Sequence, residues 1–169
     1  IEVIDDPIVS NPSPATQVLC QNSPIDSIIV TPSGGVGTYL YQWYQNTVNN
    51  NTTGISINAA TDSFYIPQNT TVGITYYYCI ITQSGGQGCE TTSTTASVNV
   101  VPGPLFTTHP QNDTVCVDAN ISLSVAYING TGTPLYQWYQ NTINSSIGGT
   151  VIPGATNATF TPLTTTAGT

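Results

Sequence analysis

The sequence lacks positive charge. Its 169 residues include no lysine and no arginine, against eight acidic residues and one histidine. Nucleic-acid binding depends on cationic side chains that displace counterions from phosphates, so nucleic acids are excluded as partners. Attraction to anionic lipid headgroups requires the same side chains and is excluded for the same reason. With so few charges, the surface must be covered mainly by Thr, Ser, Asn, Gln and Gly, a composition that suits an extracellular protein.

Long apolar runs and clusters of metal ligands are also missing. No apolar stretch approaches the roughly 20 residues that span a bilayer, so no direct membrane insertion is expected. A structural zinc site needs about four Cys or His ligands. The chain has four cysteines without a C-x-x-C pair and a single histidine, His109. Disulfides in an oxidising compartment are therefore the better use of the cysteines.

Catalytic acid–base partners are almost absent. His109 is interpreted as an exposed linker residue, because a Ser–His–Asp device would need a buried acid and a serine beside it. Asp5 and Asp6 are adjacent, so on a strand they would point to opposite faces. Together with Asp113 or Asp118 they could form a calcium site at a domain junction, although solvated acids are the favoured interpretation. The sequence thus predicts no enzyme, no metal and no cofactor.

One segment of the chain occurs twice. Residues 41–47 (YQWYQNT) recur as residues 136–142 at an offset of 95, and Cys20 corresponds to Cys116. A repeat of this length matches one immunoglobulin-like β-sandwich of ~100 residues, and such a long period indicates an array of domains. We predict repeat 1 at residues 1–102 and an incomplete repeat 2 at residues 103–169, truncated before its last two strands. An incomplete sandwich exposes an apolar face and open edges, so the parent protein is expected to be longer.

Short β-prone segments separated by turn clusters predict an all-β fold of tandem sandwiches. Strand B is expected at residues 27–31, with Ile28 and Val30 facing inward. Strand C carries the tryptophan, strand E lies near residues 63–66, strand F covers residues 75–82 and strand G ends near Val100. The predicted core residues are Trp43, Tyr65, Tyr77, Trp138 and Phe160.

Two spacings carry a family resemblance. A tryptophan on strand C, followed by Tyr77 two residues before Cys79 on strand F, resembles the immunoglobulin fold and its tyrosine corner. More narrowly, the cysteine before strand B, the Tyr-Gln-Trp-Tyr run and residues 148–156 (GGTVIPGAT) resemble the immunoglobulin-like repeats of Bacteroidota cell-surface adhesins. That family includes SprB-like gliding adhesins and other type IX secretion cargo. The resemblance covers nearly the whole chain.

The resemblance implies a structural or adhesive repeat of a long secreted fibre at the bacterial cell surface, in a gliding or attachment adhesin. Its expected partners are neighbouring repeats of the same chain, a surface glycan or protein, and anchoring or motility machinery. The alternative is a carbohydrate-binding or spacer module of a secreted hydrolase.

The cysteines depart from the antibody pattern, because Cys20 lies 23 residues before Trp43 and too far upstream for the middle of strand B. Cys20 is expected in the turn before strand B, where Cys20–Cys79 remains possible. Such a bridge would add roughly 3–5 kcal/mol. Cys20–Cys89 is the alternative, because the related repeats often carry Gly-Cys after strand F.

Two further surface features are candidates for function. The resemblance implies O-glycosylation at Asp-(Ser/Thr)-aliphatic sites, with Ser27 and Thr114 as matches and Ser63 as a looser one. Tyrosines on strands C and F could form a platform for sugar stacking, although core packing is the favoured interpretation. The platform candidates are Tyr39, Tyr41, Tyr44, Tyr76, Tyr78, Tyr136 and Tyr139.

Overall fold

A computed structural model describes residue 3, residues 5–84 and residues 89–166 of the chain. It divides into two compact units, Ile1–Gly103 and Pro104–Thr169, which we call unit 1 and unit 2. The described residues contain sixteen short strands and no helix. The predicted all-β class is therefore confirmed.

Unit 1 is a two-layer sandwich. The larger sheet has the strand order β2-β10-β8-β5-β6, with β9 also paired to β8. The facing layer consists of the pairs β1–β4 and β3–β7. Its strands are β1 (Ile8–Val9), β2 (Thr16–Cys20), β3 (Ile28–Ile29), β4 (Pro32–Ser33), β5 (Tyr39–Asn46), β6 (Ile55–Ser56), β7 (Phe64–Tyr65), β8 (Gly73–Gln83), β9 (Glu90–Thr92) and β10 (Ala96–Val101).

This strand order is immunoglobulin-like. Strands β3 and β7 hold the places of B and E in one layer, and β5, β8 and β10 hold the places of C, F and G in the other. The N-terminal segment contributes to both layers, because β1 pairs with β4 and β2 runs parallel to β10. Sequence analysis did not foresee β2, whose pairing depends on a strand about 80 residues away.

The core of unit 1 lies between the layers and surrounds Trp43, which is fully buried. Strict alternation along β8 and β10 sends every second side chain inward, as a strand with one buried face requires. The inward set comprises Tyr77, Cys79 and Ile81 from β8, Ala96, Val98 and Val100 from β10, and Ile28 and Val30 from the facing layer. Tyr65 packs against this cluster from β7.

A buried serine joins β9 to β10. Ser93 lies between β9 and β10, and its backbone N–H donates to the Cys79 carbonyl at 2.9 Å. Its hydroxyl accepts the backbone N–H of Cys79 at 2.9 Å and donates to the Thr94 carbonyl at 2.8 Å. The Ser93 hydroxyl thus forms hydrogen bonds with two backbone groups at the point where β9 ends and β10 has not yet begun. Buried polar groups need such partners.

Unit 2 repeats the first half of this plan. Its strands are β11 (Leu105–Thr108), β12 (Leu123–Ser124), β13 (Ala126–Ile128), β14 (Tyr139–Gln140), β15 (Thr150–Val151) and β16 (Thr159–Phe160). They form the pairs β11–β13, β12–β16 and β14–β15. No described residue of unit 2 is fully buried, in contrast to unit 1. The described part of unit 2 contains counterparts of strands A, B, C and E but none of F or G.

The two tryptophans occupy equivalent positions. The indole N–H of Trp43 donates to the Asp62 carbonyl at 2.9 Å, and that of Trp138 donates to the Asn157 carbonyl at 2.8 Å. An aromatic ring lies beside each indole, Tyr65 at 6.0 Å in unit 1 and Phe160 at 5.6 Å in unit 2. Trp138 is half-buried, whereas Trp43 has no exposed surface.

Candidate functional site

The outward side of the large sheet of unit 1 carries the candidate site. Register pairs Tyr44 with Tyr78 and Asn46 with Tyr76 across β5 and β8. Because Trp43 faces the core, the alternate side chains of these strands must face away from it. We call this surface the tyrosine face and define it by Gln42, Tyr44, Asn46, Tyr76 and Tyr78.

Two tyrosines of this face stack on each other. The rings of Tyr44 and Tyr78 are 5.1 Å apart between centroids and inclined by 8°. Tyr78 is only 2% exposed although it points away from the core, whereas Tyr44 is half-exposed. The backbone N–H of Gly54 donates to the Tyr78 hydroxyl at 2.9 Å, so the loop after β5 covers that ring.

This loop is held by amide side chains. The Asn51 side chain donates to the Ser93 carbonyl at 2.9 Å, and the Thr95 hydroxyl donates to the Asn49 side chain. Within the loop, the backbone N–H of Thr52 donates to the Asn50 side chain at 2.6 Å. These asparagines therefore hold the loop against the segment that connects β9 and β10.

The large sheet is nearly free of charge. Glu90 carries the one carboxylate on its six strands, all of which are described. Asn99 lies between Val18 and Ile74 across three strands, and these two apolar side chains are 56% and 48% exposed. The outward side of the large sheet, which includes the tyrosine face, thus offers aromatic rings, aliphatic groups and amides to a neutral partner.

The seven tyrosines predicted to form a platform for sugar stacking lie in different environments. Tyr39 and Tyr41 face inward and pack against the core. The pKa of the Tyr41 phenol is raised, mainly because the ring is partly buried and to a smaller extent because Cys79 and Tyr39 lie nearby. Tyr139 of unit 2 is 58% exposed, and Tyr136 lies 6.5 Å from the Tyr127 ring. Only Tyr44 and Tyr76, both half-exposed, offer outward ring surface on the same sheet.

The predicted core tyrosines lie between the two layers, Tyr77 on β8 of the large sheet and Tyr65 on β7 of the facing layer. Tyr77 is buried beside Tyr65 at 5.4 Å, and burial raises the pKa of both phenols. The Tyr77 hydroxyl shares a backbone hydrogen bond with Gln68, upstream of β8, which opposes that rise in its pKa. This bond back to the preceding segment is the geometry of a tyrosine corner.

The cysteine pairings expected from the sequence do not fit the strand register. Cys20 ends β2 opposite Val101, one position beyond the pairing of Val100 with Gly73. Cys79 lies six residues further along β8, about 20 Å away at the usual rise of a strand. A disulfide needs Cα atoms within about 7 Å, so the Cys20–Cys79 prediction is wrong.

The alternative Cys20–Cys89 pairing is wrong for the same reason. The Cys89 carbonyl accepts the backbone N–H of Gln83, at the end of β8 that is remote from Cys20. Burial raises the pKa of the Cys79 thiol from 9.0 to about 12, while a backbone hydrogen bond from Gln42 lowers it. Cys79 is therefore a core thiol that stays protonated.

The remaining predicted sites are not among the residues of the tyrosine face. Ser27 and Ser63 are half-buried, and the Ser63 carbonyl accepts the backbone N–H of Val30 at 3.0 Å. Thr114 is exposed, with its backbone N–H bound to the Asp113 carboxylate at 2.8 Å. Modification at these hydroxyls stays a prediction.

His109 is exposed, and its ring centroid lies 5.8 Å from that of Phe106. Within the described ranges, no three His, Cys, Asp or Glu side chains lie close enough to hold a metal ion. None of the described residues forms a helix that is long and apolar enough to cross a membrane.

Comparisons with known proteins give structural likenesses of low identity. No protein-family model matches the chain, and no curated protein matches it. The chain is similar to two solved structures, the N-terminal four Ig domains of Dscam1 isoform 6.9 and the N-terminal eight Ig domains of DSCAM isoform 1.30.30. Each likeness has 16% identity and a TM-score of 0.41. These alignments cover 95% and 99% of this chain, which spans 39% and 21% of those structures. A chimeric titin Z1Z2 aligns at 16% identity and a TM-score of 0.38, over 95% of this chain and 82% of that two-domain chain.

Proposed function

We propose that the chain is a structural and adhesive segment of a secreted cell-surface fibre, with the tyrosine face as its contact surface. The observation that carries the proposal is the construction of that face. Tyr44 stacks on a buried Tyr78, a hydrogen-bonded loop holds Tyr78 in place, and the surrounding strands are almost uncharged. Tyrosines combine a large apolar ring with a polar tip, a combination that is enriched at protein interfaces.

The finer assignment rests on the sequence resemblance. The Tyr-Gln-Trp-Tyr repeat and residues 148–156 support a gliding or attachment adhesin of Bacteroidota, exported as type IX secretion cargo. In such a fibre each sandwich contacts mainly its neighbours along the chain. The tyrosine face would bind a surface glycan or protein, and other parts of the fibre would attach to anchoring or motility machinery.

Adhesion of beads that carry the purified chain tests the role of the face. We expect Tyr76→Ala to reduce bead retention on the target surface, because it removes one of the two half-exposed outward rings of the tyrosine face. Tyr139→Ala is the matched control, since it removes a more exposed tyrosine from unit 2 and should leave retention unchanged. Equal retention of both variants and the unsubstituted chain would contradict the proposal.

A carbohydrate-binding role is the second candidate. It is favoured by the position of the half-exposed Tyr44 ring between two amide side chains, Gln42 and Asn46, on one strand face. A glycan array probed with the chain should then show binding to neutral sugars that Tyr44→Ala abolishes. Bead adhesion without any glycan signal would instead favour a protein or abiotic target.

The proposed O-glycosylation has its own test. Mass spectrometry of the chain isolated from its native host should find hexose-bearing peptides at Thr114, the most accessible of the three candidates. Unmodified peptides at Thr114, Ser27 and Ser63 would remove this proposal while leaving the adhesive role in place.

A further inference from the structure

The large sheet of unit 1 ends in a strand with an open side. The five residues of β2 pair with β10 on one side, and within the described ranges no strand pairs with the other side. The remaining edges of this sheet are protected against pairing, because β6 has two residues and β9 carries the exposed Glu90. In the facing layer every strand has two residues. Among the described strands of unit 1, β2 is therefore the one long edge without charge, a feature that favours pairing with another chain.

The hydrogen bonds to β10 show which backbone groups of β2 point to the open side. The backbone N–H of Ser97 donates to the Ala15 carbonyl at 2.9 Å. At the other end, the backbone N–H of Gln21 donates to the Val101 carbonyl at 2.8 Å. Along a parallel pair, residues that bond to the neighbouring strand alternate with residues that point away from it. Odd-numbered residues from 15 to 21 therefore bond to β10, and Val18, at the centre of β2, directs its N–H and C=O to the open side.

The side chains along this edge are uncharged and partly apolar. Val18 is 56% exposed and lies on the opposite side of β2 from the buried Leu19, which is the side of the tyrosine face. The chain contains no lysine or arginine that could block an edge. Asp26 is an exposed acidic residue beside β2, because its backbone is bonded to the Gln17 side chain at 2.9 and 3.0 Å. The strand itself therefore presents no charge to a partner, and one acid lies close to it.

A second copy of the same strand fits this edge. In an antiparallel pair, two residues that are directly opposite exchange both of their main-chain hydrogen bonds. Val18 of one copy therefore offers Val18 of another copy the matching donor and acceptor. Self-pairing brings no like charges together within β2, and the β-branched Thr16 and Val18 suit strand pairing. The strands that flank β2 in the sequence do not compete for the edge, because β1 already pairs with β4 and β3 with β7.

We propose that β2 is a homodimerisation edge, at which β2 of a second copy of this chain pairs antiparallel with it. The register is centred on Val18, which pairs with Val18 of the second copy, and Thr16 lies opposite Cys20 of that copy. The two large sheets become one, with both tyrosine faces on the same side, whatever target those faces bind. Because the same edge is used by both copies, the contact is two-fold symmetric and closes as a dimer. One strand pair is a small interface, so the association is weak and gains strength where many copies are linked.

Analytical ultracentrifugation of the full chain tests the edge. We expect a monomer–dimer equilibrium without larger species, strengthened by salt because salt screens the net negative charge of the chain. Val18→Lys places two ammonium groups opposite each other and should weaken dimerisation by at least about tenfold. Ile74→Lys is the matched control, since Ile74 is 48% exposed on the same side of the sheet and lies two strands away. It changes the net charge equally and should leave dimerisation within about twofold. Equal weakening by both substitutions overturns the proposal.

A disulfide trap keeps the test decisive if the dimer is too sparse to sediment. Val18→Cys is made in a Cys116→Ser background, and the background chain, which retains Cys20, gives the baseline. The Cα atoms of two directly opposed, hydrogen-bonded residues lie about 5.5 Å apart, within disulfide range. Mild oxidation should therefore link Val18→Cys chains into dimers. Ile74→Cys chains should stay monomeric, because five strand spacings, roughly 24 Å, separate the two positions across the joined sheet. The proposal is overturned if Val18→Cys crosslinks no faster than Ile74→Cys or the baseline.

Discussion

Replacing Gly54 by alanine tests whether the loop over the tyrosine face is closely packed. A Cβ at this position would lie 2.7 Å from Cε1 of Tyr78 and 2.9 Å from the Gln45 carbonyl oxygen, where ordinary contacts begin at 3.4 Å. The stacked Tyr44 ring lies 5.1 Å from the Tyr78 ring and limits the movement of that ring. The loop must therefore shift by about 0.7 Å at the closest contact.

The energetic cost follows from two opposing effects. Overpacking of this kind costs about 1–3 kcal/mol. Replacing Gly by Ala restricts the unfolded chain and returns about 0.4–1 kcal/mol. We expect Gly54→Ala to lower the free energy of unfolding of unit 1 by about 1–2 kcal/mol net. For a unit of this size, that loss corresponds to a fall of roughly 4–15 °C in the midpoint of thermal unfolding.

Urea denaturation provides the assay. The variants are made in a Trp138→Phe background, so that indole emission reports on Trp43 and unit 1 alone. Gly103→Ala is the matched control, because a Cβ there would meet no described atom within 4 Å. If Gly54→Ala and Gly103→Ala agree within about 0.5 kcal/mol, the loop does not pack on Tyr78 as described, and the reasoning about the face is refuted.

Three further predictions concern the core of unit 1. Ser93→Ala should destabilise unit 1 by about 1–3 kcal/mol, because it leaves the buried N–H of Cys79 without its acceptor. In the same urea assay Ser97→Ala, which removes a more exposed hydroxyl bond to Thr16, should cost under about 0.5 kcal/mol. Raising the pH from about 9 towards 12 should lower stability, since the Cys79 thiol ionises near 9.0 when unfolded and near 12 when folded. The unfolded state then binds fewer protons, so the slope of stability against pH is negative, and denaturation of Cys79→Ala across this range should show a shallower slope. Thiol labelling of the native chain near neutral pH should modify Cys116, which is exposed, and spare Cys79 until urea is added; labelling of both at one rate would contradict the burial of Cys79.

The two incorrect disulfide predictions show a limit of inferring cysteine pairs from their spacing in the sequence. The distance along the chain between Cys20 and Trp43 correctly suggested that Cys20 lies outside strand B. It could not show that the preceding segment forms a strand parallel to β10, because that pairing joins residues about 80 positions apart. The pairing carries Cys20 to the end of the sandwich remote from Cys89 and well away from Cys79, which no local pattern records.

Alternation was a sound guide to which side of a strand faces the core, because the period of two is a property of the backbone itself. It placed Ile28, Val30 and Tyr77 on inward faces. It did not show that Tyr78, on the outward side of β8, would be almost as buried as they are. That burial comes from the loop around Gly54, which is held by hydrogen bonds to Ser93, between β9 and β10, and to Tyr78 itself.

The duplicated heptapeptide separates local from long-range determinants in one molecule. Residues 41–47 and 136–142 are identical, and both copies place a tryptophan beside an aromatic ring and bind its indole to a carbonyl 19 residues onward. These features follow from the nearby chain and recur in both units. The length of the strand, the complete burial of Trp43 and the stacking of Tyr44 occur only in unit 1. They require β8, which pairs with β5 and packs side chains against it from a distant part of the sequence. A run of seven residues cannot provide these contacts by itself.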